Sequence, residues 1–184
     1  LNGSLRAIQG ETLKHHRPAD LPYRLAALNA TPKPETLVNS LRHHPQARLC
    51  FYGPPGTGKT ALGRHLATAL ERPLLLKRAS DLLDKWVGAS EKNIAAMFHE
   101  AEQEGAILLL DEADSFLSDR RNARQHWEIT QTNELLTRME EFDGLFICTT
   151  NLLDQLDPAV LRRFDFKVRF DYCNNEQRQQ LFGE

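Results

Sequence analysis

From residue 49 onward, short apolar runs alternate with longer stretches in which apolar residues recur at helical spacing. The short runs have the length of β-strands and consist mainly of aliphatic and aromatic residues. Five such runs predict strands, at residues 49–52, 74–76, 106–110, 145–149 and 166–170.

The stretches between these runs predict helices, because their apolar residues lie three or four positions apart and so share one helical face. The residues concerned are Leu62, Leu66, Ala69 and Leu70, then Ile94, Met97, Phe98 and Ala101, then Ile129, Leu136 and Met139. A shorter helix is expected over residues 35–43, with Pro34 suited to its first turn. Strands that alternate with helices indicate βαβ units, and therefore a buried, mainly parallel sheet with helices on both faces.

Residues 1–34 follow neither pattern, since they contain four prolines and little apolar periodicity. We interpret them as an arm or linker that lies over the domain, and residues 35–172 as the domain itself. The whole chain has 184 residues, which matches about one domain.

Composition and charge narrow the class of protein. Lys and Arg number 23 against 25 Asp and Glu, a net charge of −2, which argues against a general nucleic-acid or membrane-surface binder. No apolar run reaches the roughly 18 residues that a membrane span needs. The 3 cysteines include no Cys-x-x-Cys pair, so we expect reduced thiols in a cytoplasmic protein, with Cys50 and Cys148 in the core.

A phosphate-binding loop of the pattern GxxxxGKS/T lies between the first predicted strand and the following helix. Its glycines allow backbone N–H groups to converge on a phosphate, and the helix directs its positive end to the same place. We expect Lys59 to reach the β- and γ-phosphates of ATP and the Thr60 hydroxyl to bind Mg²⁺. The alternative, a Gly/Pro-rich turn with a chance lysine, is disfavoured by the flanking strand and helix. The predicted nucleotide site comprises Gly53, Pro54, Pro55, Gly56, Thr57, Gly58, Lys59, Thr60 and Ala61.

Two acidic residues follow the apolar run at 106–110, where the carboxyl end of a buried parallel strand meets a ligand crevice. Asp111 is expected to hold Mg²⁺ together with Thr60, and Glu112 to orient and polarise the attacking water. Asp114, two residues further on, fits a helix cap as well as a site residue, and both interpretations stay open.

These motifs, with Thr149-Thr150-Asn151 and Leu161-Arg162-Arg163-Phe164-Asp165, occur in an order that resembles the AAA+ ATPases. The resemblance spans about residues 49–172 and is strongest to the protein-remodelling branch that includes FtsH, katanin and the proteasomal ATPases. It implies a doubly wound, five-stranded parallel P-loop NTPase sheet with helices on both faces. It also implies a Mg²⁺-dependent ATPase that assembles as a ring, usually a hexamer, with ATP at the subunit boundaries.

Further roles come from the same resemblance, residue by residue. Asn151 resembles the polar sensor that touches the γ-phosphate or the attacking water. Arg162 and Arg163 resemble the arginine fingers that one subunit inserts into its neighbour's site, although the family often has two residues between them. Asp143-Gly144 resembles an intersubunit signalling motif and is also an ordinary turn sequence.

Lys85, Trp86, Val87 and Gly88 resemble the pore loop with which remodelling rings grip an extended polypeptide. The alternative is that Trp86 packs on the surface of its own domain. Residues 119–127 contain three arginines, where the family has a second pore loop, and arginines so close together also suit a nucleic-acid backbone. From the family resemblance we expect a homo-hexamer that acts on protein substrates. An ATPase that acts on nucleic acid is the alternative, and a nucleotide switch that does not hydrolyse ATP is the third hypothesis.

The family's small helical lid would follow residue 172, and residues 173–184 resemble only its beginning. We therefore expect the chain by itself to bind nucleotide weakly, to hydrolyse it slowly and to be monomeric.

Overall fold

A computed structural model of the chain describes residues 28–83, 88–117, 126–152 and 156–174. In chain order, its elements are β1 (Asn29–Thr31), α1 (Pro34–His43), β2 (Ala47–Tyr52), α2 (Lys59–Ala69), β3 (Leu74–Arg78), α3 (Ala79–Leu82), α4 (Ala89–Glu104), β4 (Ile107–Asp111), α5 (Asp114–Leu117), α6 (His126–Glu141), β5 (Leu145–Thr150), α7 (Pro158–Leu161) and β6 (Phe166–Asp171).

The strands form one sheet in the order β1-β6-β2-β5-β4-β3. Five of them are parallel and correspond to the five predicted runs, so the predicted parallel sheet is confirmed. Consecutive strands along the chain are not always neighbours in the sheet, as expected for a doubly wound fold in which helices cross over the faces.

A sixth strand, β1, was not predicted. It pairs antiparallel with β6, with Asn29 opposite Asp171, at the edge of the sheet. The side-chain amide of Asn29 also donates to the carbonyl oxygen of Tyr172 at 2.8 Å. Because β1 has only three residues and depends on a partner far away in the sequence, no local pattern indicates it. The end of the predicted arm is thus part of the sheet.

Side chains that alternate along each strand divide the core into two layers. Leu108 and Leu110 belong to the layer beneath α4 and α6, whereas Ile107 and Leu109 belong to the layer beneath α1 and α2. All four are fully buried, which explains why residues 107–110 of β4 form a continuous apolar run. Helices therefore cover both faces of the sheet, as the sequence predicted.

Cys50 and Cys148 face each other on the neighbouring strands β2 and β5, and both are fully buried. Burial raises the pKa of the Cys50 thiol to about 12, against the opposing effect of Lys167. Thiols in this environment stay protonated and unreactive. The prediction that these two cysteines are core residues is confirmed.

The carboxyl ends of the parallel strands all lie at the same end of the sheet, and this arrangement positions the functional groups. β2 ends at Tyr52, immediately before the predicted phosphate loop, while β4 ends at Asp111 and β5 ends at Thr150. Among the described residues, no helix combines the length and the apolar character that crossing a bilayer requires.

Candidate nucleotide-binding site

The loop from residue 53 to residue 58 joins β2 to α2 and requires glycine at its two ends. At Gly53 a Cβ atom would lie 2.1 Å from the backbone oxygen of Phe170, so no side chain fits there. Gly58 has a φ of 93°, a left-handed conformation, and α2 starts at the next residue. The loop therefore packs closely against β6 and then turns sharply, so that the amino end of α2 meets the cleft.

Lys59 is the first residue of α2 and is buried, with 7% of its surface exposed. Its ammonium group donates to the carbonyl oxygens of Gly53 and Pro54, both at 2.7 Å, and to Oδ1 of Asn151 at 3.0 Å. Burial lowers the pKa of Lys59 below 10.5, whereas the nearby Asp114 and Asp111 act in the opposite direction. The structure thus holds this cation in a fixed position, surrounded by oxygen acceptors.

Asp111 lies directly beside Thr60 at the start of α2. The Thr60 hydroxyl donates to both carboxylate oxygens of Asp111, at 3.0 and 3.1 Å, and the Thr149 hydroxyl donates to Oδ1. A carboxylate and a hydroxyl so close together are the hard oxygen ligands that Mg²⁺ uses alongside nucleotide phosphates and water. The residues present therefore fit a magnesium ion bound with a nucleotide.

Glu112 has a left-handed backbone conformation with a φ of 56°, which is uncommon for a residue other than glycine. Its N–H donates to the Thr149 hydroxyl at 3.1 Å, and the N–H of Ala113 donates to the Thr149 carbonyl oxygen at 2.9 Å. Two hydrogen bonds to acceptors on β5 thus stabilise a turn that would otherwise cost about 1–2 kcal/mol. The turn leaves Glu112 exposed at the edge of the cleft.

Asn151 directly follows β5, and its backbone N–H donates to Oδ1 of Asp114 at 2.8 Å. The Thr150 hydroxyl donates to the same carboxylate oxygen. Asp114 is the first residue of α5, yet its carboxylate holds the end of a neighbouring strand. Asn151 is therefore held by α5 as well as by β5, the strand that it follows.

These groups converge on a cleft of about 380 Å³, a volume within the range of small-molecule sites. Residues 55–61 line it, together with Asp111, Glu112, Thr149 and Asn151. The remaining two residues of the predicted nucleotide site, Gly53 and Pro54, are not among these lining residues, and their carbonyl oxygens accept hydrogen bonds from Lys59.

The sequence model of the ATPase family associated with various cellular activities (AAA) matches residues 49–172, which carry all of these groups. The chain belongs to the AAA ATPase family.

Individual relatives agree with this assignment. Tat-binding homolog 7 of Caenorhabditis elegans is 35% identical over 79% of this chain and 12% of its own length. The 26S proteasome subunit RPT4 of Saccharomyces cerevisiae is 38% identical over 75% of this chain and 34% of its own length. The chain therefore spans about a third or less of these two relatives.

A solved structure is similar as well. The AAA domain of FIGL-1 in complex with ADP is 31% identical to this chain and matches it with a TM-score of 0.62. The match covers 74% of this chain and 47% of that one. The proteasomal and FIGL-1 relatives agree with the predicted protein-remodelling branch of the family.

In this AAA domain, the two adjacent arginines have different surroundings. Nη1 of Arg163 donates to Oε1 of Glu140, on α6, at 2.6 Å. Arg162 is exposed, and its side chain makes no hydrogen bond or ion pair with the described part of the chain. Neither arginine is among the described residues that line the cleft. The structure therefore does not bring them to the nucleotide site of their own subunit.

Several predicted features fall outside the described residues. Lys85, Trp86 and Val87 of the predicted pore loop do so, whereas Gly88 is described and precedes α4 with a φ of 80°. Most of the arginine-rich loop and the end of the chain also lie outside, as do residues 1–27 of the predicted arm. Gly144 of the predicted signalling motif is buried, and its carbonyl oxygen accepts from the N–H of Ala47 at 3.2 Å.

Sequence reasoning did not single out Thr149 as a site residue, although its hydroxyl connects Asp111 to the backbone of Glu112. It also left the role of Asp114 undecided. The available signal was the pair of hydroxyl residues, Thr149 and Thr150, at the end of a predicted strand. Their partners, however, lie 36 to 38 residues away in the sequence and depend on the strand order.

Proposed function

We propose that this AAA domain binds ATP with Mg²⁺ and hydrolyses it. The observation that carries the proposal is one cleft in which a buried lysine, an aspartate–threonine pair, a glutamate and an asparagine meet. A site of this composition suits phosphoryl transfer, which depends on positioning and on neutralising the phosphate charge.

Lys59 would bind the β- and γ-phosphates by exchanging its carbonyl partners for phosphate oxygens. Thr60 and Asp111 would hold the magnesium ion, which when bound neutralises charge on the phosphates. Asn151, next to Lys59, would contact the γ-phosphate or the water that attacks it.

Glu112 would act as the base in this scheme. It would accept a proton from the attacking water while the water oxygen bonds to the γ-phosphorus and the bond to the β-phosphate oxygen breaks. ADP and inorganic phosphate are then released. The exposed position of Glu112 at the cleft edge supports this role, because water can reach it there.

The experiment that tests the proposal is Glu112→Gln. The amide cannot take up the proton, so we expect ATP–Mg²⁺ binding to be retained and turnover to fall by about 100-fold or more. Titration calorimetry measures the binding, and phosphate release measures the turnover. Glu100→Gln, on α4 and outside the cleft, is the matched control and should turn over like the unmodified protein. Unchanged turnover in Glu112→Gln would remove Glu112 from the mechanism.

We further propose that the domain works in a homo-hexameric ring and that Arg162 is the arginine offered to the neighbouring subunit. The side chain of Arg163 is paired with Glu140 of its own chain, whereas the exposed side chain of Arg162 has no partner among the described residues. An arginine of this kind stabilises charge on the transferring phosphoryl group in a neighbour's site.

The proposed substrate of the ring is a polypeptide in the cytoplasm. The similarity to the proteasomal subunit RPT4 supports a protein substrate, as does the sequence at residues 85–88, which resembles a pore loop. The three cysteines of this chain are all free thiols, and they favour a reducing compartment such as the cytoplasm. The arginines at residues 119–127 are the observation that would favour nucleic acid instead.

A further inference from the structure

The carboxylate of Asp114 binds the chain at the point where β5 ends, next to the cleft. The pairing of β5 with β4 extends to Cys148, and that with β2 extends to Thr150. Asn151 is therefore the first residue beyond the strand, and the acceptor for its backbone N–H is Asp114, at 2.8 Å. The Thr150 hydroxyl donates to the same oxygen, so one carboxylate oxygen holds two successive residues.

The side chain of Asn151 continues this connection into the nucleotide site. Its Oδ1 accepts from Nζ of Lys59 at 3.0 Å, and both residues border the cleft. Since the backbone of Asn151 is held by Asp114, the position of its amide group relative to Lys59 depends on a residue outside the cleft lining. The hydrogen bond from the Lys59 ammonium to Asn151 is charge-assisted and therefore stronger than one between neutral groups.

We propose that Asp114 is a positioning residue that acts through Asn151, by placing the amide of Asn151 against Lys59 and the γ-phosphate. This inference rests on the proposed ATPase function and adds to it a residue that is not part of the cleft lining. It also replaces the helix-cap interpretation of Asp114, because its carboxylate serves β5 and the residue after it.

Two substitutions separate geometry from charge. Asp114→Asn removes the charge and keeps an oxygen in place to accept from Thr150 and Asn151. Asp114→Glu keeps the charge and displaces the acceptor by one methylene. We expect Asp114→Asn to retain most of the turnover, and Asp114→Glu and Asp114→Ala to lose about tenfold or more at nearly unchanged ATP affinity. The opposite order, with Glu active and Asn inactive, would overturn the proposal.

A double-substitution cycle then tests whether Asp114 acts through Asn151. If it does, Asp114→Ala in an Asn151→Ala background should lower single-turnover hydrolysis no further. Effects that multiply would show independent action and contradict the proposal. Glu100→Ala, which removes a carboxylate paired with Lys77 outside the cleft, is the control for general destabilisation and should leave turnover unchanged.

A second readout does not require hydrolysis. The amide proton resonance of Asn151 in the nucleotide-free full chain should move upfield in Asp114→Ala and stay near its original position in Asp114→Asn. A resonance that does not respond to Asp114→Ala overturns the positioning contact. A full-length protein that never hydrolyses ATP overturns the proposed function, while this resonance still decides the role of Asp114.

Discussion

At the scale of single residues, the site depends on polar groups that are buried or strained and held by neighbours. Lys59 is almost completely buried, and its cost of desolvation is offset by three oxygen acceptors. Glu112 has a left-handed backbone that Thr149 stabilises. Strain and burial of this kind concentrate where a protein prepares groups for a ligand.

Lys59→Ala tests the role of this cation. The loop would lose the charge that faces the β- and γ-phosphates, so ATP affinity in titration calorimetry should fall by about 100-fold or more. Lys77→Ala is the matched control, because Lys77 pairs with Glu100 outside the cleft and its loss should leave ATP affinity unchanged. Unaltered affinity in Lys59→Ala would contradict the phosphate-loop assignment.

At the scale of elements, the phosphate loop follows β2 and contacts both of its neighbours in the sheet, β5 and β6. Gly53 donates its N–H to the carbonyl oxygen of Thr150 at 3.3 Å, and its own carbonyl oxygen accepts from Lys59. On its other side lies the backbone of Phe170 in β6. The loop therefore depends on the pairing of β2 with both neighbouring strands.

Gly53→Ala should therefore destabilise the domain strongly. Its Cβ would overlap a backbone atom that cannot move without displacing β6, so we expect a loss of about 3 kcal/mol in the free energy of unfolding. Gly105→Ala is the control, since Gly105 is left-handed but has open space around it, and it should cost about 1 kcal/mol. Equal costs in denaturant unfolding would show that close packing at Gly53 is unimportant.

At the scale of the whole molecule, the proposed ring predicts that two defective subunits can repair each other. Subunits with Arg162→Ala keep an intact cleft, and subunits with Lys59→Ala keep an intact arginine. In mixed rings of the full-length protein, each would supply what its neighbour lacks, so the ATPase rate should exceed the sum of the separate rates. Arg163→Ala, which loses the contact with Glu140, is mixed with Lys59→Ala in the same way, and its ATPase rate is compared with that of the Arg162→Ala mixture. Mixtures that never exceed that sum would contradict action between subunits.

The proposed protein substrate makes a separate prediction about Trp86. In a ring that contains the lid, Trp86→Ala should keep the basal ATPase rate and lose substrate-stimulated turnover and unfolding of a tagged test protein. Trp86→Tyr should retain most of that activity because the aromatic face remains. Stability should change by no more than about 0.5 kcal/mol, as for an exposed loop residue. A loss of several kcal/mol in Trp86→Ala would assign the side chain to packing and remove support for the polypeptide grip.

The sequence by itself determined the parallel sheet and the phosphate loop, because both are encoded by neighbouring residues. Residues 107–110 of β4 are all apolar because both faces of a central strand are buried, and that property needs no knowledge of its partners. Gly53, Gly58, Lys59 and Thr60 form a pattern at fixed spacing because the loop must follow the shape of a phosphate.

Only the tertiary structure decided the features that depend on residues far apart in the chain. β1 is a strand because Asn29 meets the end of β6, where its amide bonds to a residue 143 positions away. Asp114 supports Asn151, 37 positions away, because β4 and β5 are adjacent and parallel. Arg163 differs from Arg162 because Glu140, 23 positions earlier on α6, reaches only one of them. Local patterns encode the propensity of a segment, whereas the sheet order decides which side chains meet.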